Sequence, residues 1–537
     1  MPSSRTRRAF LSVTVFLATC AIGGSMLNQK VRAQQASDES TVRENLRSFT
    51  TVLDTVQQNY AKPLDTETTD TAIYDGAIPG MLRTLDPHSS FYDPKAYAKM
   101  REDQHGRYYG VGMTIQAQTN KVVVIVPAED SPAYKAGIKP GDLIVAVDNK
   151  PTANMTSADV ANLLKGPKGT PVSVSVTRED HDKPLVFNLI RDEIPRNSVD
   201  LEFLIRPGIG YIHINNFQET TGREFADALT NFGDLHGLVL DLRGNPGGLV
   251  TEAVSVADKF LRKGQVVASQ RGRAFPEQTY RAAHGSSGRD YPVVVLINRG
   301  TASAAEIVSG ALQDHDRALI VGETSFGKGL VQTVFPISEN SGLALTTFHY
   351  YTPSGRLIQR NYNGLSLYDY YMAEGKAPKD TASREVKLTD SGRTVYGGGG
   401  ITPDEPVEPI KSTHIQQVLL QHNVFFDFSK HYLANRTIDR NFQIDEPVLT
   451  EFKQYLSQQQ VPYTQEELNS VMDWLKATLK SDLFTYEFGQ SEGLKIRAEW
   501  DPSISKALSY LPEAQTLEDT AKRAMLQKNT ARAGETQ

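Results

Sequence analysis

Apolar positions along this chain change their period several times, and each change marks a change of architecture. Between residues 38 and 104 the spacing is helical. Leu46, Phe49, Val52, Leu53 and Val56 form one stripe of a helix over Val42–Tyr60 that ends before Pro63. A second helix is expected over Thr69–Leu85, broken by LDPHSSF at 85–91. Asp86, His88 and Ser90 in that break are sequence neighbours, so they read as a turn held by its own side chains rather than as a triad. From 106 to 192 short strands take over, with Val122–Val126 and Val172–Val176 the clearest, glycine-rich turns between them and one helix at Ser157–Leu164. From 193 to 410 buried apolar runs alternate with helical stripes. Strands are expected at Gly210–Ile214, Gly237–Asp241, Pro292–Asn298 and Ala318–Val321. Helices are expected at Arg223–Phe232, from Val250 to Leu261, and from Ala304 to Leu312, where Ile307, Val308, Ala311 and Leu312 share a face. Such alternation predicts a largely parallel sheet with its sites at the carboxyl ends of the strands. Residues 361–400 read as loop. After Pro409 the pattern is helical and polar, giving a helical C-terminal region at 411–527. A disordered tail is expected at 528–537, which carries no apolar side chain larger than Ala. The fold class is thus a multidomain α/β protein: an α/β core with an inserted β-rich module and helical N- and C-terminal regions.

Composition adds little until the first 33 residues. At 537 residues several domains are expected, and a formal charge of −6 without a basic block in the folded part argues against nucleic acid as a partner. Arg5, Arg7 and Arg8 precede an apolar run from Ala9 to Leu27, and Val31-Arg32-Ala33 follows. Residues 1–33 therefore read as a secretory signal, either cleaved or kept as a membrane anchor. The expected location is the periplasm or cell envelope. Cys20, the single cysteine, lies inside this run after Thr19, a poor match to a lipid-attachment site. The mature chain lacks cysteine, so neither disulfides nor thiolate-bound metal enter, and no metal or cofactor is expected.

The stretch Pro292–Gln332 concentrates the candidate chemistry. Ser303 falls at the N-terminus of a helix, just past a buried strand, where free N–H groups and the helix dipole favour developing negative charge. Gly247 and Gly248, in the loop after the strand Gly237–Asp241, can aim backbone N–H groups at a ligand oxygen. Gly322–Lys328 fits the phosphate-loop pattern GxxxxGK, but Gly329 stands where Ser or Thr is needed for magnesium, and a strand rather than a helix follows. The one GxSxG, Gly489–Gly493, sits in the helical tail without the buried strand of a nucleophile elbow, and neither His315 nor His349 has a visible pairing. The third option is a Ser/Lys pair, against which the residues alone leave open a lysine that is only a solvated surface charge. A lysine serves as base only when neutral, and burial between apolar neighbours such as Phe326, Leu330 and Val331 lowers its pKa. In an extended strand Gln332 would share a face with Lys328 and could orient its amine.

Two resemblances bear on these residues. SPAYKAGIKPGDLIVAVDNKPT at 131–152, with the glycine-rich loop at 106–113, resembles a PDZ domain, placing one at 106–192. Such domains add a peptide C-terminus as a strand. The resemblance implies a carboxylate nest at Tyr109, Gly110, Val111 and Gly112, and a pocket for an apolar last residue at Val160 and Leu164. On a larger scale, LDPHSSF at 85–91, LRGNPGG at 242–248, GTASAAEI at 300–307, GETSFGKGLVQ at 322–332, YYTPSGRLIQ at 350–359 and GGITPDEPV at 399–407 follow one order. In that order they resemble the carboxyl-terminal processing proteases, also called tail-specific proteases. The resemblance implies Ser303 as nucleophile, Lys328 as general base and Gln332 as the residue positioning the lysine. It also implies an oxyanion hole from the N–H groups of Ala304 and Gly247, with Gly248 as the other candidate. Ala305 stands where many relatives have Ser. Glu306 is expected to cap its helix. The chain is accordingly expected to be an exported serine endopeptidase whose partners are unstructured or C-terminal segments of proteins. Assembly as a homo-oligomer, or with an adaptor, is left open. The competing class, a scaffold with a silent core, would be favoured by loss of the serine or the lysine, and both are present.

Overall fold

The computed structural model describes residues 40–118, 121–178, 181–287, 289–337, 340–372 and 384–535; the expected signal segment and Cys20 lie outside them. The chain divides into a unit ending at Thr84 and a unit beginning at Leu85. In the first, helices cover 40–59, Thr66–Thr71 and Ile78–Arg83, with a π-helical turn at Ala72–Ala77. The expected stripe forms, but Leu46, Phe49, Val52 and Val56 on it are exposed.

The second unit is built on a six-stranded sheet whose strands follow chain order: Val199–Arg206, Ile209–Ile214, Gly237–Asp241, Val293–Ile297, Leu319–Gly322 and Glu405–Pro406. The first pair is antiparallel and every later pair parallel. Crossovers of one hand between strands in sequential order all land on one face. Helices Thr221–Asn231, Val250–Asp258 and Ala304–Asp314 accordingly share a core, in which Phe225, Val256, Val308 and Leu312 meet Ile212, Leu240, Val295 and Ile320. The opposite face, with Tyr211, Val239, Val294 and Val321, is left for other elements. Ile504, Ala507, Leu511 and Ala514 from the far end of the chain cover it. Burying Ile504 and Leu511 there contributes roughly 1.5–3 kcal/mol each.

The helical C-terminal region thus serves two cores. Residues such as Phe425, Phe428, Phe452 and Leu475 form one of their own, while the residues after 490 belong to the sheet. Helix Leu511–Glu535 runs through most of the stretch expected to be disordered. Lys528, Ala531, Arg532 and Ala533 in that stretch are strong helix formers. The expected loop at 361–400 contains a helix, Leu367–Met372, and a hairpin, Val386–Leu388 with Thr394–Tyr396.

Two further sheets matter to function. Gly342–Tyr351 is paired on one edge by Leu330–Pro336, and on the other by Ser90–Tyr92 and Val266–Arg271. The β-rich module has the strand order Met113–Gln118, Lys121–Pro127, Leu143–Val147, Pro171–Thr177 and Leu185–Ile190, packed on helix Ser157–Leu164. A short antiparallel pair, Arg107–Gly110 with Asp192–Pro195, joins the module to the rest. Among the described residues no helix is long and apolar enough to cross a membrane.

Candidate active site

Ser303 follows the turn that ends strand Val293–Ile297 and stands at the N-cap of helix Ala304–Asp314. Its φ of +53° is unusual for a residue with a side chain. The turn is bound to the loop 242–248. The Asn298 carboxamide oxygen accepts from the Gly244 and Gly300 N–H groups, Thr301 Oγ1 donates to Leu242 O, and the Ala302 N–H donates to Asn245 O. Gly247 is the point of closest approach: a Cβ there would lie 2.7 Å from Ser303 Cβ and 2.9 Å from Ala304 N.

Of the expected oxyanion donors, the Ala304 N–H has no partner among the described residues, while the Gly247 N–H donates to Asn245 Oδ1 at 2.8 Å. Gly248 forms a parallel bridge with Phe217, in which Phe217 N–H donates to Gly247 O and Leu249 N–H to Phe217 O. That pattern turns the Gly248 N–H away from Phe217, and it too has no partner among the described residues.

Lys328 lies in the connection from strand Leu319–Gly322 to strand Leu330–Pro336. The connection is fastened to Ser303 by one buried carboxylate. Glu306 Oε2 accepts from the Ser303 N–H at 2.8 Å and the Lys328 N–H at 2.9 Å. Its Oε1 accepts from the Gly327 N–H at 2.7 Å and from Ser325 Oγ at 2.5 Å. Glu306 is fully buried, which pushes its pKa up, and these donors oppose that shift. We read it as the carboxylate, because every group facing it arrives as a donor. Only the cap at Ser303 was legible in the sequence; the bonds to 325–328 close over a separation that periodicity does not reveal.

Burial holds the Lys328 ammonium below the usual lysine range, and the negative charges of Glu306 and Asp86 pull it partly back. Ser303 Oγ and Lys328 Nζ are not hydrogen-bonded to each other. Gln332 differs from expectation. Lys328 precedes the strand, so strand alternation does not carry it onto the face of Gln332, and the ladder shifts register between Val331 and Gln332, where Thr347 is the extra residue on the partner strand. The Gln332 amide donates instead to Thr346 Oγ1 at 3.1 Å.

The glycines flanking Lys328 have a steric reason. A Cβ on Gly327 would come within 2.9 Å of both Arg360 Cβ and Gly400 N, and one on Gly329 within 2.9 Å of Gln359 N. The pattern GxxxxGK therefore reflects tight packing against 359–360 and 400, not a phosphate cradle. GxSxG at 489–493 is a helical corner in which Gly493 packs directly on Thr485. His315 is tied to Asp390 and Val266 O, far from any serine role.

LDPHSSF forms the expected turn, with Asp86 Oδ1 accepting from the His88 and Ser89 N–H groups. The sequence did not place it beside the lysine, but its charges are felt there. His88 is lowered to about 4, first by burial and then by Lys328, and its ring nitrogens meet the Tyr370 and Tyr371 hydroxyls.

In the β-rich module Met113–Gln118 is an edge strand, paired only with Lys121–Pro127. Tyr109 and Gly110 pair with Glu193 and Asp192. The N–H groups of Val111 and Gly112 have no partner among the described residues, while their carbonyls accept from Ala133 and Ala128. Val160, 0% exposed, and Leu164, 5% exposed, are packed into the module's core and do not line an open groove.

Comparison with known proteins agrees with this arrangement. The model of Peptidase family S41 matches residues 208–365, a PDZ domain model matches 123–178, and the model "Probable PDZ-protease, C-terminal helical domain" matches 415–470. The carboxy-terminal-processing protease of Bartonella bacilliformis is 36% identical over 387 residues, covering 71% of this chain and 86% of that protein. The chain belongs to the carboxy-terminal processing proteases. A second member, from Synechocystis, is 37% identical over 292 residues, covering 53% of this chain and 68% of its own. Among solved structures, a photosystem II D1 C-terminal processing protease is 30% identical, with a TM-score of 0.34 over 66% of this chain and 85% of its own. As a carboxy-terminal processing protease the chain is a serine-type endopeptidase with a PDZ domain, and the scaffold alternative falls away.

Proposed function

We propose that this protease cleaves through a Ser303–Lys328 dyad. The observation that carries the reading is the Glu306 carboxylate, one oxygen of which binds the backbone of both residues. In the proposed cycle the neutral Lys328 amine takes the proton of Ser303 Oγ as the oxygen attacks the scissile carbonyl. The oxyanion is met by the Ala304 N–H and the Gly248 N–H, and Gly247, held by Asn245, shapes the loop between them. Collapse breaks the C–N bond, the lysine ammonium protonates the leaving amine, and an acyl-enzyme remains. Lys328 then deprotonates the water that releases the acid and restores Ser303. Gln332 orients the lysine once its amide oxygen faces the amine.

Substrate C-termini are recruited at the edge strand Met113–Gln118, with the carboxylate on the unpartnered N–H groups of Val111 and Gly112. Because Val160 and Leu164 are covered, seating an apolar last residue requires the helix Ser157–Leu164 to move from the strand. Export rests on the sequence of residues 1–33, and fractionation that leaves the protein in the cytosol would remove it. For the dyad, Ser303→Ala and Lys328→Ala should each abolish cleavage of fluorescein-labelled β-casein, an unstructured substrate, without lowering the melting temperature. Near-normal turnover by either variant would sink the assignment.

A further inference from the structure

Among the described residues the Gln332 side chain is hydrogen-bonded to Thr346 alone, and a chain of hydrogen bonds leads on from there. Its Nε2 donates to Thr346 Oγ1 at 3.1 Å, and Thr346 is its direct cross-strand partner. The Thr346 N–H donates to Ser89 Oγ at 3.1 Å, and Ser89 Oγ donates to Asp86 Oδ2 at 2.7 Å. Asp86 and Ser89 are buried, at 8% and 7% exposure. Strand Ser90–Tyr92, immediately after them, pairs with the same strand that carries Thr346, Ser90 facing Ala344.

The directions of the two links beyond Thr346 are set by chemistry, while the Thr346 hydroxyl, which can donate or accept, accepts from Gln332. A carboxylate only accepts, so the Ser89 hydroxyl must point its proton at Asp86. A Ser89 lone pair is then left for the Thr346 N–H, and the two roles cannot exchange. Residue 346 is thereby anchored opposite Gln332. With its Nε2 on Thr346, the Gln332 amide has its oxygen as the remaining end, and an oxygen is what a lysine donor needs. Were the amide reversed, the Thr346 hydroxyl would have to donate to it and an NH2 group, itself a donor, would be the end left for the lysine.

We propose that Thr346, anchored by Ser89 and Asp86, is the positioning residue that orients Gln332 toward Lys328. The segment preceding the PDZ domain thus belongs to the catalytic apparatus, without touching substrate. This rests on the Ser-Lys-Gln reading above and adds to it residues 86, 89 and 346.

The test is a cycle on the full chain with fluorescein-labelled β-casein. Thr346→Val removes Oγ1 and keeps the shape and the N–H; Thr346→Ser restores the hydroxyl; Gln332→Ala removes the positioned amide. Thr346→Val should lower kcat about 10-fold to 100-fold with little change in KM. Thr346→Ser should recover most of it, and Thr346→Val should add nothing in the Gln332→Ala background. Ser89→Ala, which keeps the turn backbone, should act in the same direction and serves if the valine variant does not fold. If Gln332→Ala itself keeps full kcat, the role of Gln332 is wrong. If Gln332→Ala loses activity while Thr346→Val and Ser89→Ala keep it, or if the losses are additive, only the positioning chain is overturned.

Discussion

Glu306→Gln is the most informative single change, because it alters charge and hydrogen bonding at an atom shared by the nucleophile and the base. The carboxylate accepts three backbone N–H groups and one hydroxyl, all within 2.5–2.9 Å. A carboxamide has one oxygen. It is best used in the place of Oε2, where it still accepts from Ser303 and Lys328. The NH2 group then faces the Gly327 N–H and Ser325 Oγ. The hydroxyl can turn to accept, but the Gly327 N–H cannot, so one buried donor is orphaned at about 1–3 kcal/mol. Glu306→Ala would orphan all three N–H groups, roughly 3–9 kcal/mol, which approaches the whole stability of a typical domain. The glutamine variant should therefore fold and the alanine variant should not accumulate. The negative charge of Glu306 raises the Lys328 pKa, so removing it lets that pKa fall further. The active lysine is the neutral form, which populates as pH rises through its pKa. The rising limb of the kcat/KM profile should accordingly move to lower pH in Glu306→Gln, even as its plateau drops from the loosened Lys328 loop. Urea titration with a pH series on labelled β-casein measures both. A limb that stays in place or moves to higher pH would refute the electrostatic link between Glu306 and the lysine.

Other consequences are simpler. Gly247→Ala places a methyl 2.7 Å from Ser303 Cβ at a φ of +100°, and turnover should fall by at least about 100-fold with binding of a C-terminal peptide to the PDZ domain unchanged. Asp314→Ala leaves Arg356, at 0% exposure, without the carboxylate it meets at 2.6 Å, and chemical denaturation should register a loss of about 3–5 kcal/mol. His88, lowered to about 4 by burial, stays neutral through the assay range. His88→Gln should consequently leave the position of the rising limb unchanged, and a displaced limb would mean that the histidine titrates with the base.

What the sequence made legible was local. The period of apolar residues located the parallel strands and the helix behind Ser303, since a buried strand and an amphipathic helix each write their period into adjacent residues. The serine at a helix N-cap, Gly247 and Gly248 in the loop 242–248, and a lysine between apolar neighbours were visible for the same reason. Contacts that close over long separations were not. The face of the sheet left bare by same-side crossovers gave no local signal that residues near 504–514 would cover it. Glu306 announced only its cap, because the N–H groups of 327 and 328 reach it through a loop, not through a periodic element. Gln332 is the instructive case. Strand parity put it on the lysine's face, yet Lys328 stands outside the strand, and the ladder shifts register at Gln332 because the partner strand carries an extra residue, Thr347. On the proposal above, the orientation of the amide passes instead to its cross-strand partner, Thr346. That partner is set by register between strands whose pairing is non-local. If that proposal holds, the amide is positioned by residues 86, 89 and 346, which share no motif with it and are linked to it only in the folded sheet.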